Sequence, residues 1–151
     1  MKRIQTRLGS LCMAVVMLLS LAVTPAMAAN TQDPPTEVTN CEASGFYTTI
    51  LALGFSDSDS DWMNAITGAA VENTRYTKGE INSFSSTDGI WEVGNATGAY
   101  GSYRALKLAL KSDTKFPVTI TISADGYKDL TVKVEKTGYS SYTATVVQDT
   151  P

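Results

Sequence analysis

The stretch VTITISADGYKDLTVKVEKTGYSSYTATVV, residues 118–147, decides the fold class. Val118, Ile120 and Ile122 alternate with Thr119, Thr121 and Ser123. A period of two puts the apolar side chains on one face of an extended chain and the polar ones on the other. Asp125-Gly126 is a hairpin signal, because tight hairpin turns need the positive φ that glycine adopts freely. Leu130, Val132 and Val134 then alternate with Thr131, Lys133 and Glu135, and Thr137-Gly138 turns the chain again. In the last segment Tyr142, Ala144 and Val146 share a face. The pattern predicts a three-stranded antiparallel meander, buried on one side and solvated on the other. Gly126-Tyr127 through Val132 is echoed in Gly138-Tyr139 through Val146, a hairpin self-similarity too short in period for a solenoid repeat.

Upstream segments follow the same logic. In Ala105–Lys111 the alternation of Leu106, Leu108 and Leu110 favours strand over helix. Ile90–Val93 reads as a short strand between Asp88-Gly89 and Gly94-Asn95, and Ala69–Tyr76 as a strand with a turn near Glu72-Asn73-Thr74. Phe46–Phe55 mixes aromatic, β-branched and apolar residues between turn formers, as a strand does. Between them, Ser and Asp residues precede Trp62 and Ile66, spaced i, i+4, which predicts one capped helical turn. The glycine-rich segment Gly94–Ser102 lacks alternation and reads as a loop. About seven short one-sided strands with a single helical turn predict an all-β domain, a small antiparallel β-sandwich.

The N-terminus predicts export. Lys2, Arg3 and Arg7 precede an apolar run from Leu11 to Val23, and Pro25 leads into Ala26-Met27-Ala28. A basic start, a short apolar run and small residues at a cleavage point define a signal peptide over residues 1–28, and the run is below the ~18–20 residues a membrane span needs. Neither Cys12 nor Cys41 lies in a lipidation setting, and no second apolar segment follows. The expected product is extracellular, secreted or associated with a bacterial cell envelope, with no membrane span after cleavage. Residues 29–45 are polar with Pro34-Pro35 and read as a flexible arm, 46–147 as the domain and 148–151 as a tail.

Composition narrows the function. Three of the twelve basic residues lie within 1–28 and none of the fifteen acidic ones do, so the processed chain carries nine against fifteen, a net −6. That balance argues against nucleic acid or an anionic membrane as partner. Cys41 is the one cysteine after the signal, which leaves a free thiol or an intermolecular disulfide. With no histidine anywhere, imidazole-based triads and histidine-ligated zinc are excluded, and the chain reads as a non-enzyme. Asp57-x-Asp59-x-Asp61 starts like a calcium loop, yet Trp62 and Gly68 stand where glycine and glutamate are required, so helix capping explains these aspartates better. No metal or cofactor is expected.

Tyr100 with Tyr103, and Tyr139 with Tyr142, could suggest haem ligation, but strand residues three apart point to opposite faces. Tyr100 and Tyr103 instead read as a loop-borne contact patch, since rigid aromatics anchor partners. Trp91 suits core and contact equally.

Ser58-Asp59-Ser60-Asp61-Trp62-Met63-Asn64-Ala65-Ile66, then Val71 to Thr77, Leu106-Lys107-Leu108, and Val118 through Ala124-Asp125-Gly126-Tyr127-Lys128-Asp129-Leu130-Thr131-Val132 form an ordered set. Together they resemble the haemoglobin-interacting domain of Shr-like haem-uptake receptors. The W-x-x-A-I and I-x-A-x-G-Y-K-D-x-T-V elements carry the resemblance, which spans roughly Phe46 to Val147. Family members often carry an N-G turn where this chain has Glu72-Asn73-Thr74. The resemblance implies an immunoglobulin-like β-sandwich on the bacterial surface that binds protein, with haemoglobin as partner. A structural envelope domain, assembled through Cys41, and a carbohydrate-binding module are the alternatives from other classes.

Overall fold

Alternating sequence becomes strand where one set of side chains has a core to enter. The computed structural model, which describes residues 32–82, 84 and 87–147, contains nine strands among those residues. They are β1 (Asn40–Ser44), β2 (Ile50–Gly54), β3 (Ile66–Val71), β4 (Thr74–Lys78), β5 (Ile90–Gly98), β6 (Gly101–Ala109), β7 (Val118–Ala124), β8 (Leu130–Lys136) and β9 (Tyr142–Val146). A 3-10 turn, Asp57–Asp59, leads into one short helix, α1 (Ser60–Asn64). The expected signal peptide, residues 29–31 of the arm and the tail 148–151 lie outside the described residues.

The fold is all-β, as predicted. The meander forms in the register its alternation requires: Ile120 opposes Val132, and Val132 opposes Val146. All nine strands share one sheet in the order β1-β2-β6-β5-β4-β3-β7-β8-β9, and its two edges, β1 and β9, come close enough to make it nearly a barrel. The sheet is mixed, where antiparallel pairing throughout was expected. Thr74–Tyr76 of β4 pair antiparallel with β3, while Thr77 and Lys78 run parallel to Ile90 and Trp91 of β5. One five-residue strand therefore links the two halves.

Both halves feed one core. Leu51, Leu53, Trp91, Leu106 and Leu108 come from one side, and Val71, Val118, Ile120, Ile122, Val132 and Val134 from the other. Each such side chain contributes ~1.5–3 kcal/mol by leaving water. The predicted helical turn is present as α1, with Trp62 and Met63 buried, but its N-cap Asp59 makes no side-chain cap hydrogen bond; the Ser56 side chain caps the preceding 3-10 turn instead, accepting from Ser58 N. Trp62 packs edge-on against Phe55 with ring centroids 4.8 Å apart, and Ile66 enters the same core as the first residue of β3.

Several boundaries differ from the sequence reading. Gly94–Ser102 is no loop: β5 and β6 pair without a break from Ile90↔Ala109 to Gly98↔Gly101. Backbone hydrogen bonds of a long hairpin hold residues whose side chains give no alternation of hydrophobicity. Only Ile50–Gly54 of the expected 46–55 strand is extended in the sheet. Asn40–Ser44, read as part of an arm, pairs with β2 along its whole length. Further upstream Gln32 bridges to Tyr127, Lys128 N donates to Gln32 O at 2.9 Å, and Lys128 pairs with Asp33 at 3.0 Å. These contacts form because Tyr127 and Lys128 present backbone groups at the β7–β8 turn.

Candidate functional site

Strand β2 is buried on both faces, which a one-sided sheet does not require. Leu51 and Leu53 enter the main core, whereas Ile50 joins Ile81, Ala109 and Ile90 in a second, smaller cluster on the outer face. The segment after β4 lays Ile81 over that face, and Ile81 N donates to Glu92 Oε1 at 3.1 Å.

Register then places a row of outward residues across four strands. Glu42 opposes Ala52, Ala52 opposes Lys107, and Lys107 opposes Glu92. Around them lies a trough of about 390 Å³, lined by Glu42, Ser44, Ala52, Asn82, Tyr103 and Lys107 among others. Lys107 Nζ sits 3.7 Å from Glu92 Oε1, and Tyr103 Oη donates to Glu42 Oε1 at 2.7 Å. Desolvation, then the hydrogen bond and charge of Glu42, push the Tyr103 phenol well above its ordinary pKa.

Two glycines make this packing possible. A Cβ on Gly54 would lie 2.7 Å from the Tyr103 ring, and one on Gly98 would lie 2.6 Å from Glu42 Oε1. Glu42 is level with Lys107 in the ladder yet reaches Tyr103 and Gly98, nearer the hairpin tip, so the β5–β6 hairpin leans over the trough.

The structure separates the residues singled out in the sequence. Tyr100 is fully exposed at the β5–β6 turn. Tyr103 is half-buried on β6 and committed to Glu42, so the two tyrosines share a hairpin but not a role. Trp91 is 2 % exposed in the core, with Lys78 Nζ 5.6 Å from its ring centroid. Cys41 packs half-buried against the core, and burial, then the Glu42 charge, raise its thiol pKa to about 11. A disulfide to another chain would have to draw on that inward-packed thiol.

Sequence reasoning missed two groups. Glu42 lies in a polar stretch with nothing to mark it, and Gly94, Ala96 and Gly98 carry no hydrophobic alternation, so the strand face on which Glu42 and Tyr103 pack read as a loop. Phe46 and Phe84 form the second group: 74 % and 70 % exposed, they stack at 5.1 Å with Tyr47 exposed beside Phe46 in the chain.

Among the described residues, no cluster of three or more His, Cys, Asp or Glu could hold a metal ion, and no helix is long and apolar enough to cross a membrane. The trough offers a carboxylate, an ammonium, amides and hydroxyls, an arrangement suited to holding a polar ligand. Fold and site thus define an all-β domain with exposed aromatics and a polar trough. The chain matches no protein-family model, no curated protein and no solved structure.

Proposed function

We propose that this chain is an exported, non-catalytic protein-binding module of a bacterial surface, an immunoglobulin-like β-sandwich whose partner, by resemblance, is haemoglobin. The observation that carries the binding reading is the exposure of large aromatics: Tyr100 on its hairpin tip and the stacked pair Phe46 and Phe84. The fold does not use these rings for its core, and exposed aromatics on loops are what protein interfaces bury. The sandwich reading draws support from the core, which is filled by β2, β5 and β6 on one side and β7 and β8 on the other. The split pairing of β4 also supports it, since one strand then serves both layers.

Calorimetric titration with haemoglobin, and separately with haemin followed by absorbance, tests the proposal. Saturable heat with haemoglobin and an unchanged haemin spectrum is the expected result. Tyr100→Ala should weaken binding about tenfold or more, since truncated interface anchors commonly cost ~1–2 kcal/mol or more. Its melting temperature should stay that of the parent, because Tyr100 is fully exposed. Silence with haemoglobin rejects the haem-acquisition reading, and binding unaffected by Tyr100→Ala and by Phe84→Ala rejects the aromatic contacts.

A further inference from the structure

The trough on the outer face has no part in that proposal, yet it is built as a site. An exposed sheet face ordinarily carries long polar side chains that cover it. Here Ala52, Gly54, Gly94, Ala96 and Ala105 occupy outward positions between the longer Glu42, Tyr103 and Lys107. Of these, Ala52 and Ala96 line the depression of about 390 Å³, with the β5–β6 hairpin on one side and Ile81 and Asn82 on another. That volume lies in the range of ~300–1,000 Å³ that holds small ligands.

Its chemistry selects the ligand. Glu42 and Lys107 are the charged side chains that line the trough, one of each sign, so the lining carries no net charge and gives an anionic ligand no excess of cations to meet. Glu42 Oε1 accepts from Tyr103, and among the described residues nothing donates to Oε2. Lys107 is held only loosely by Glu92, at 3.7 Å. An acceptor and a donor therefore face one cavity, with the Asn82 amide and the Ser44 hydroxyl beside them. Ile50, Ala52 and Ile81 add apolar surface. Vicinal hydroxyls on a ring with C–H faces satisfy all of this, each donating to carboxylate while accepting from ammonium or amide. An extended peptide fits less well, because β2 and β6 at the floor are paired on both sides and offer it no backbone ladder.

The geometry points to the trough as a binding site for a neutral saccharide, distinct from the aromatic contact surface. The chain as exported, labelled with ¹⁵N, is titrated with neutral oligosaccharides of glucose, galactose, mannose and N-acetylglucosamine, and with trigalacturonate. The expected result is saturable shifts at Glu42, Ala52, Tyr103 and Lys107 with at least one neutral sugar, insensitive to added salt. Ala52→Leu fills the floor and should abolish them; Lys107→Met, which leaves the floor alone, should weaken binding about tenfold or more. Tyr100→Ala should leave saccharide binding unchanged. Silence with every neutral sugar, shifts that persist in both trough variants, a stronger response to trigalacturonate, or trough shifts produced by haemoglobin instead would each overturn the assignment.

Discussion

Tyr103 on β6 and Cys41 on β1 lie either side of β2, one facing outward and the other packed against the core, and the pKa of each is raised because it is drawn from water. Desolvation comes first for each, and Glu42 adds to both. A phenol whose pKa rises on folding stabilises the folded state below the ordinary value of about 10, and that contribution is lost as pH climbs above it. Tyr76, buried with its hydroxyl accepting from Lys111 N at 3.1 Å, is raised for the same first reason. In an alkaline absorbance titration Tyr76 and Tyr103 should therefore ionise above the ordinary phenol value of about 10, and Tyr103→Phe should remove one of these two late ionisations. Cys41, raised from 9.0 to about 11, should react with a disulfide reagent at pH 8 about 100-fold more slowly than in the urea-unfolded chain, because the thiolate is the nucleophile. Equal rates would show that β1 does not protect it. Trp62 is a third case: its buried Nε1 has no hydrogen-bond partner among the described residues. Trp62→Phe removes that unpaired donor and should cost clearly less than Trp62→Ala, for which ~3–5 kcal/mol is usual.

The β5–β6 hairpin is where local sequence and tertiary demand diverge. Its distal residues carry no hydrophobic alternation, because Gly94, Ala96 and Gly98 serve as a surface on which Tyr103 and Glu42 lie rather than as core. Gly98→Val should displace Glu42 and Tyr103 and lower stability by ~1–3 kcal/mol, the usual range for overpacking, read by urea unfolding. The variant Tyr103→Phe, which deletes only the hydroxyl, should cost ~1 kcal/mol. If both are neutral, the hairpin is not anchored through this contact. The β3–β4 turn makes the same point. Glu72 adopts φ 56°, unusual for a residue with a Cβ, and its carboxylate accepts from Thr119 N at 2.7 Å. That bond to β7 offsets the strain and explains how a turn without glycine persists.

For the whole molecule, β4 is the piece on which the architecture turns. Its antiparallel half belongs to β3 and its parallel half to β5, so the chain passes between halves inside a single strand. Tyr76, buried on β4, ties that crossing to Lys111 beyond β6. Ile120, fully buried on β7, should cost ~2–5 kcal/mol when cut to alanine, whereas Thr121→Ala on the other face should change stability by under ~0.5 kcal/mol. Similar costs for the two would mean that β7 is not packed as described.

The sequence by itself determined the all-β class, the β7–β9 meander, the single helical turn and the core faces of β6, β7 and β8. Each follows from period-two or i, i+4 spacing, a local property that survives in any tertiary context. Tertiary structure alone decided the parallel join of β4 to β5, the recruitment of Asn40–Ser44 as an edge strand and the extension of β5 and β6 through a glycine-rich segment. Those features rest on backbone hydrogen bonds, which every residue except proline can make and which leave no mark in side-chain pattern. The separation of Tyr100 from Tyr103 was decided the same way: both are tyrosines in one short segment, and only Glu42, distant in sequence, makes one of them an anchor and leaves the other free at the tip.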